Sequence, residues 1–573
     1  MPVPMTASTS PLLVISKMFS GRTPGDTWEQ KVEEHFKAEL SRPEVMAGLT
    51  SLNTADNHSL VEGQLVRFRA MVQDMFDPEY FMAEYQVRLP GGGLEVRSGR
   101  WRDTVECGPG EELVGDCREE LRERQCFYCV SPPGEAAWVM DYQARLARGG
   151  PGPSGSQANC NKRARDGDEE EEVNTEMETD SGSVQEVSKR QKSVATTDSL
   201  KKRSSPANLN LPLPSSKGRA CIVKLYDVKD GDLKLQDLVE FVGVLSLDPS
   251  LAGGDTDEEM SLSPALPPPS LVPRLHVLTF SLLQHSNPLL PLTSLPPVEA
   301  VARVELQTFL TSVLLGDRLA AEYLLLHLIS RVYHRRDVLV LGKLSLNLHN
   351  MTSHEDWPKR LATVLSLLTT NSHYLPLTRT NLDTASLVPS KDYEANRLVS
   401  GSLQLPPGTH LWLDETAMTD GQLGAGGVKN LTSLGNLITW QKLEYDFQFQ
   451  KLEYETDIPC LVMSEGRSML PSDIQLMVKP DVTEVRSDLI SKTFAEIGPG
   501  LGSEILDRLR RYLTTARFAA FDLNEQVMKA VQDDFVSMRQ TEQGISVEDF
   551  HSLLVLGRLS EYYQQIGPLD DEK

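Results

Sequence analysis

The chain has 573 residues, 40% of them hydrophobic and 24% charged, which is a globular composition too long for one ordinary core and excludes a wholly disordered protein. Its formal charge of −24 excludes a chain drawn as a whole to phosphate backbones. Much of that charge is local: residues 166–180 hold nine acids and no base. Seven cysteines, at 107, 117, 126, 129, 160, 221 and 460, are odd in number and unevenly spread, as expected of a reducing compartment rather than a disulfide framework. The apolar runs Leu12 to Ile15 and Leu319 to Ile329 are too short or too interrupted (by Glu322 and His327) to be a signal peptide or a membrane span, so no membrane association is expected.

In chain order, a small helical segment (1–60) comes first. Within it Trp28, Val32, Phe36 and Leu40 recur every four residues and predict an amphipathic helix over 26–40, with Asp26 or Thr27 as its cap. From Leu65 to Leu89 the period changes to two: Val66, Phe68, Ala70 and Val72 form one inward set, and Phe81, Ala83, Tyr85, Val87 and Leu89 another. These read as half-buried strands joined through Asp77-Pro78, with shorter strands at 94–97, 101–105 and 126–130. Residues 146–216 are rich in Gly, Pro, Ser, Glu and Lys without apolar periodicity and read as a disordered insertion. Strand character returns at Cys221 to Val228 and Leu238 to Leu247, where Gly243 permits a bend or a close approach. One barrel of oligonucleotide-binding (OB) type, built from 61–145 and 217–248 and split by the insertion, accounts for both halves.

After a Pro/Ser/Asp/Glu-rich linker (249–270), strands alternate with helices: a strand at 275–280, helices at 298–313 and 317–332, strands at 338–348 and 410–414, a hairpin at 443–456 and a strand at 458–463. Residues 271–482 therefore form an α/β domain, followed by a helical lid over 483–566 (helices near 485–496, 503–519, 524–540 and 546–564) and a disordered tail at 567–573. The fold class is α/β plus β.

The apolar strand His410-Leu-Trp-Leu-Asp414-Glu415 ends in two acids, the arrangement with which P-loop ATPases hold magnesium and orient water. The phosphate loop that must accompany it is missing. At Gly342-Lys343 the required first glycine is Asp337 and the magnesium-binding hydroxyl is Leu344, so an ATPase-like shape without its chemistry is expected, and no cofactor. Cys126-Phe-Tyr-Cys129 has zinc-ligand spacing, but Cys107 and Cys117 do not form the second short pair a zinc site needs, and no metal is expected. Gly466-Arg-Ser468 lacks the second glycine of a nucleophile elbow and has no assignable His/Asp partners. Phe81 and Tyr85 are the rings a single-stranded DNA binder would stack on bases; their alternation predicts burial instead. Three basic clusters, Lys162-Arg163-Ala-Arg165, Lys189-Arg190-Gln-Lys192 and Lys201-Lys202-Arg203, suit a nuclear import receptor, because the neighbouring acid run opposes phosphate binding.

Strings such as MVQDMFDPEYFMAEY (71–85), SPPGEAAWV (131–139), KGRACIVKLYD (217–227), KDYEANRLVSGSLQLP (391–406), NLITWQKLEYDF (436–447) and SEGRSMLPSD (464–473) resemble the MCM-binding protein family along nearly the whole chain outside the linkers. The resemblance implies a nuclear, non-catalytic protein that binds subunits of the replicative MCM helicase and promotes unloading of the complex from chromatin. It also implies a role in sister chromatid cohesion, and an OB-type barrel ahead of a degenerate AAA+-like domain. Direct sequence-specific nucleic-acid binding is not expected. The alternatives are an active AAA+-type ATPase remodeller and a single-stranded DNA-binding OB protein.

Overall fold

A computed structural model describes residues 10–23, 27–114, 121–147, 209–213, 218–229, 231–247, 271–292, 295–336, 339–352, 356–481, 502–519 and 547–561, with isolated positions between 529 and 540. Residues 1–148 and 210–573 belong to one unit, and 149–209 to another; only the first is described below. The insertion, the helices expected near 485–496 and 524–540 and the tail lie wholly or largely outside the described residues.

Five strands pair in a closed cycle: β1 (Leu65–Met82), β2 (Leu121–Val130), β3 (Ala220–Tyr226), β4 (Leu238–Ser246) and β5 (Arg274–Leu282), in the order β1-β2-β3-β5-β4 and back to β1. Only β3 and β5 run parallel within the cycle. Val66, Phe68, Ala70 and Val72 are buried as the alternation requires, and fill the ring with Cys129, Val223, Phe241 and Leu275. The outer side is buried too. There α1 (Pro11–Ser20) and α2 (Trp28–Leu40) bring Ile15, Phe19, Val32 and Phe36 against Leu65, Phe81 and Val242. Thr27 occupies the N-cap of α2 but makes no side-chain capping bond.

Four expectations are corrected. The strand at 275–280 does not open the α/β half; it is β5 and closes the ring against β4. The closure needs Gly243: the β4–β5 ladder shifts register there, and a Cβ would collide with the His276 carbonyl. Asp77-Pro78 does not separate two strands, because β1 runs through it to Met82 and absorbs it in a register shift between Phe76 and Glu79, where a residue without an N–H costs no ladder bond. The stretch 338–348 is two strands. Leu339–Leu341 pairs with His334–Arg336, and Gly342 at φ 99° turns the chain toward a strand of a different sheet.

Residues 101–105 are not a strand. The chain crosses there with Trp101 at φ 61°, and this segment delivers Asp103 into a buried ionic knot. Asp103 Oδ1 accepts from Lys224 Nζ at 2.6 Å and from an Arg124 amino group at 3.0 Å, its Oδ2 lies 3.2 Å from His276 Nε2, and Lys224 and Arg124 both also reach Glu79. Tyr226 joins the knot by bonding His276 Nδ1 and accepting from the Trp101 amide. Burial alone would raise the Asp103 carboxyl; His276, Lys224 and Arg124 override it and hold the group well below the usual carboxylate range.

The remainder centres on a parallel sheet of β6 (Leu346–His349), β7 (Ser372–Pro376), β8 (His410–Asp414), β9 (Cys460–Met463) and β10 (Ile474–Met477), in the order β7-β8-β9-β6-β10. Apolar residues on opposite faces feed two cores. One side takes Trp412, Leu346 and Met463 with helices α3 (Ala300–Val313), α4 (Arg318–Ile329) and α5 (Trp357–Ser366); the other takes Leu411, Leu413 and Val462 with α6 (Ala425–Trp440). Helices α7 (Ser503–Phe518) and α8 (Val547–Glu561) close the first core through Leu509, Leu513, Val555 and Leu559.

The ring meets the half built on this sheet along buried polar groups, at the separate strands Arg397–Val399 and Lys442–Asp446 and at the loop holding Gln404. Asp74 accepts from the Leu398 amide at 2.8 Å, Gln404 donates to the Gln73 carbonyl at 2.9 Å, and Gln236 donates to the Tyr445 hydroxyl at 3.0 Å. At the sheet edge the Ser372 amide donates to the Gly134 carbonyl and the Ala136 amide to the Thr370 carbonyl, both at 2.8 Å.

Replacing Asp103 with Asn should lower unfolding stability at pH 7 by roughly 3–5 kcal/mol, because two buried cations lose a shared carboxylate. The native Asp103 carboxyl sits below its unfolded value near ~4, so its stabilisation is complete above that pH and drains as pH falls toward the depressed native value. Denaturant melts at pH 7 and pH 3 should therefore show the gap between the native chain and Asp103→Asn narrowing in acid. An equal gap at both pH values would reject the assignment.

Candidate functional site

The carboxyl ends of a parallel sheet are where such folds hold ligands. Here they bring together the ends of β6, β8 and β9. Asp414, at the end of β8, is buried and its oxygens are engaged: Oδ1 accepts from the Thr416 amide at 2.9 Å and hydroxyl at 2.7 Å, and Oδ2 from the Tyr374 hydroxyl at 2.5 Å. Glu415 turns the other way and accepts from Ser468 Oγ at 2.7 Å and, more weakly, from the Met469 amide at 3.4 Å. Burial pushes its carboxyl above the usual range against those bonds. Both acids that the sequence singles out thus serve as local caps for the turns that leave the sheet.

The segment after β6, where a phosphate loop would follow the first strand, has a different sequence. In sequence, Asn350 through Asp356 contain no glycine or lysine and end in Glu355-Asp356, so the residue types of a phosphate loop are missing there. Met351 and Trp357, both fully buried, pack at the two ends of this segment, and the Asn350 and Met351 amides donate to the Glu465 and Ser464 carbonyls after β9. Gly342-Lys343 sits at the opposite, amino-terminal end of β6. Lys343 there bonds Asp473, which also accepts from the amide and hydroxyl of Ser345.

Cys126 and Cys129 lie on one strand three residues apart. Cys129 packs inside the ring beside Cys221, its register partner on β3, whereas Cys126 lies near Glu79, Lys224 and Arg124 of the ionic knot. Burial raises all three thiols, Cys126 and Cys221 to about 12. Cys107 is exposed, and Cys117 and Cys160 lie outside the described residues. Among the described residues no group of three or more His, Cys, Asp or Glu is placed to hold a metal ion. Ser468 is spent on Glu415 and on its own turn. Phe81 and Tyr85 are buried, so their faces are not offered to bases. The basic residues Lys162, Arg163, Arg165, Lys189, Arg190, Lys192, Lys201, Lys202 and Arg203 all lie outside the described residues.

The sequence reading missed β7 and β10, whose four or five residues carry too little apolar alternation to stand out. It also missed Tyr374 on β7, the partner that occupies Asp414. The pairing Pro376↔Asp414 puts the ends of β7 and β8 side by side, a relation that no local pattern encodes.

Comparison with known proteins finds the family described as Mini-chromosome maintenance replisome factor matching residues 36–567. The chain is 38% identical to the "Mini-chromosome maintenance complex-binding protein" of Danio rerio and 38% identical to that of Homo sapiens, in each case over 96% of this chain and 92% of the relative. The Drosophila melanogaster protein of that name is 37% identical over 96% of this chain and 94% of its own length.

If Asp414 is a cap rather than a magnesium ligand, millimolar Mg-ATP will leave the melting temperature unmoved and no phosphate will be released. Asp414→Ala should cost roughly 2–4 kcal/mol of stability through the lost bonds from Thr416 and Tyr374. Phosphate release by the native chain that Asp414→Ala abolishes would overturn the assignment.

Proposed function

Because the chain belongs to the Mini-chromosome maintenance replisome factor family, we propose that it binds the MCM complex, as its relatives' name says of them, and that it does so without catalysis. In this reading the chain regulates DNA replication by promoting disassembly of the MCM complex and its unloading from chromatin, with a consequent role in the cell cycle and sister chromatid cohesion. The observation that carries it is the condition of the strand-end acids: a parallel sheet with Asp414 and Glu415 at its carboxyl edge has both acids engaged as caps within the chain. This supports a degenerate AAA+-like domain that keeps a docking shape. The five-strand closed cycle with one parallel pair supports an OB-type barrel ahead of it. Helices α7 and α8 serve as the lid.

The mechanism is mass action. A partner that binds released or loosened subunits more tightly than the closed ring draws the equilibrium toward disassembly without consuming nucleotide. The chain acts in the nucleus, carried there by an import receptor that reads Lys162, Arg163, Arg165, Lys189, Arg190, Lys192, Lys201, Lys202 and Arg203.

Titrating the purified chain into assembled MCM complex should release subunits in proportion to the protein added, equally with ATP and with a non-hydrolysable analogue. Binding without release would refute the disassembly role, and release that requires hydrolysis by this chain would favour the rival reading of an ATPase remodeller. Changing the nine basic residues to Ala should leave a tagged chain in the cytoplasm, and unchanged nuclear accumulation would refute the import assignment.

A further inference from the structure

A cleft of about 300 Å³ lies away from the strand-end acids, lined by Arg335, Leu339 and Val340 on one side, Asn436 and Trp440 of α6 on another, and Lys442, Glu444, Glu453 and Glu455 on the third. That volume is at the small end for a ligand pocket and suits one long side chain better than a cofactor. The third wall is a hairpin whose strands nearly repeat each other, Lys442-Leu-Glu-Tyr-Asp446 and Lys451-Leu-Glu-Tyr-Glu455. Paired antiparallel, Leu443 faces Tyr454 and Tyr445 faces Leu452, while on the other face Glu444 stands directly opposite Glu453.

Like charges directly opposed across two strands destabilise the pair unless cations meet them. Each glutamate has one: Lys442 bonds Glu453 at 2.9 Å and Lys451 bonds Glu444 at 2.6 Å. A carboxylate has about four acceptor sites, so a single ammonium on each leaves most of that capacity unused. Glu453 and Glu455 are also more than half exposed. The remaining cation, Arg335, is committed elsewhere. Its guanidinium donates to the carbonyls of Trp440, Gln441 and Thr456, fastening the end of α6 to the hairpin base, and its approach to Glu455 is a long 3.7 Å.

Trp440 completes the cleft. Of the six tryptophans, Trp28, Trp101, Trp357 and Trp412 are buried, Trp138 is half-buried, and only Trp440 is exposed, at 44%. An accessible indole face beside several carboxylates is the environment in which a guanidinium is held, stacked on the ring and bonded in its plane. Phosphate is repelled by the same carboxylates, which argues against nucleic acid here.

We propose that this cleft receives an arginine side chain of the protein partner, stacked on Trp440 and bonded to Glu444 and Glu453. The proposal rests on the reading that the chain binds the MCM complex, and names the surface and the chemistry by which it does so. Arginine is preferred to lysine because its planar fork can stack and reach two carboxylates at once.

The test uses the full chain and two variants, Trp440→Ala and the double change Glu444→Gln/Glu453→Gln, each first shown to melt as the native chain does. Affinity for purified MCM complex should fall by about tenfold or more in both variants, as for an aromatic or charged anchor at the centre of an interface. A tri-arginine peptide should change the tryptophan fluorescence of the native chain but not of Trp440→Ala, and a tri-citrulline peptide should change neither. Native affinity in both variants, or equal responses to the two peptides, would overturn the proposal. So would a concentration-dependent dimer that Trp440→Ala dissociates, because the occupant would then be a second copy, and so would a gain in peptide affinity on changing the chain's own basic clusters to Ala. If the native chain failed to bind MCM complex yet answered the arginine peptide, the functional reading would fall while the cleft's chemistry stood.

Discussion

Everything else in this molecule depends on the buried polar seam between the five-strand ring and the half built on the parallel sheet. Gln73, Gln236 and Gln404 are almost fully buried and Asp74 nearly so, and each finds partners across the seam: Asp74 the Leu398 amide, Gln404 the Gln73 carbonyl, Gln236 the Tyr445 hydroxyl. A buried polar group without a partner costs about 1–3 kcal/mol. Pulling the two halves apart would expose or orphan several at once. An apolar contact of the same size would tolerate sliding, whereas bonds between specific amides and carbonyls fix one registration. The two halves are consequently one body, and the seam sets how the strand ends and the hairpin cleft are presented.

Within that body, polar side chains have largely been assigned to holding the chain. Asp414 and Glu415 cap turns, Lys343 is tied to Asp473, and Asp103 gathers Lys224 and Arg124. A catalytic acid must be free to bind a metal or move a proton when substrate arrives. The oxygens of Asp414 already accept bonds from Thr416 and Tyr374. The hairpin cleft differs in kind: its carboxylates are solvent-accessible, Glu444 and Glu453 are held by one ammonium each, and an exposed indole stands beside them. That contrast between strand-end acids engaged within the chain and an outward-turned cleft is what a binding protein built on a layered α/β scaffold would show.

Much of the molecule was legible before any coordinates. The four-residue stripe of α2, the alternation in β1, the apolar run of β8 and the hairpin at 442–455 appear where local periodicity places them, because each element buries one face against a core and so writes that face into its sequence. The missing phosphate loop was legible too, since that motif is defined by contiguous residue types. The family resemblance, carried by long unusual strings, agrees with the match over residues 36–567.

What the chain's order alone could not decide was which elements share a sheet and which side chains meet. Residues 275–280 read as a strand of the second half, and only closure of the ring, with Gly243 making room for the His276 carbonyl, assigned them to the first. Residues 101–105 alternate like a strand, but a carboxylate needed between two buried cations drew them across the ring instead. Tyr374 and Asp414 are forty positions apart, and Arg335 and Thr456 far more. Periodicity records whether a side chain faces in or out, because burial is a property of one residue and its immediate neighbours. A partner is a property of two distant segments, and only folding brings them within bonding distance.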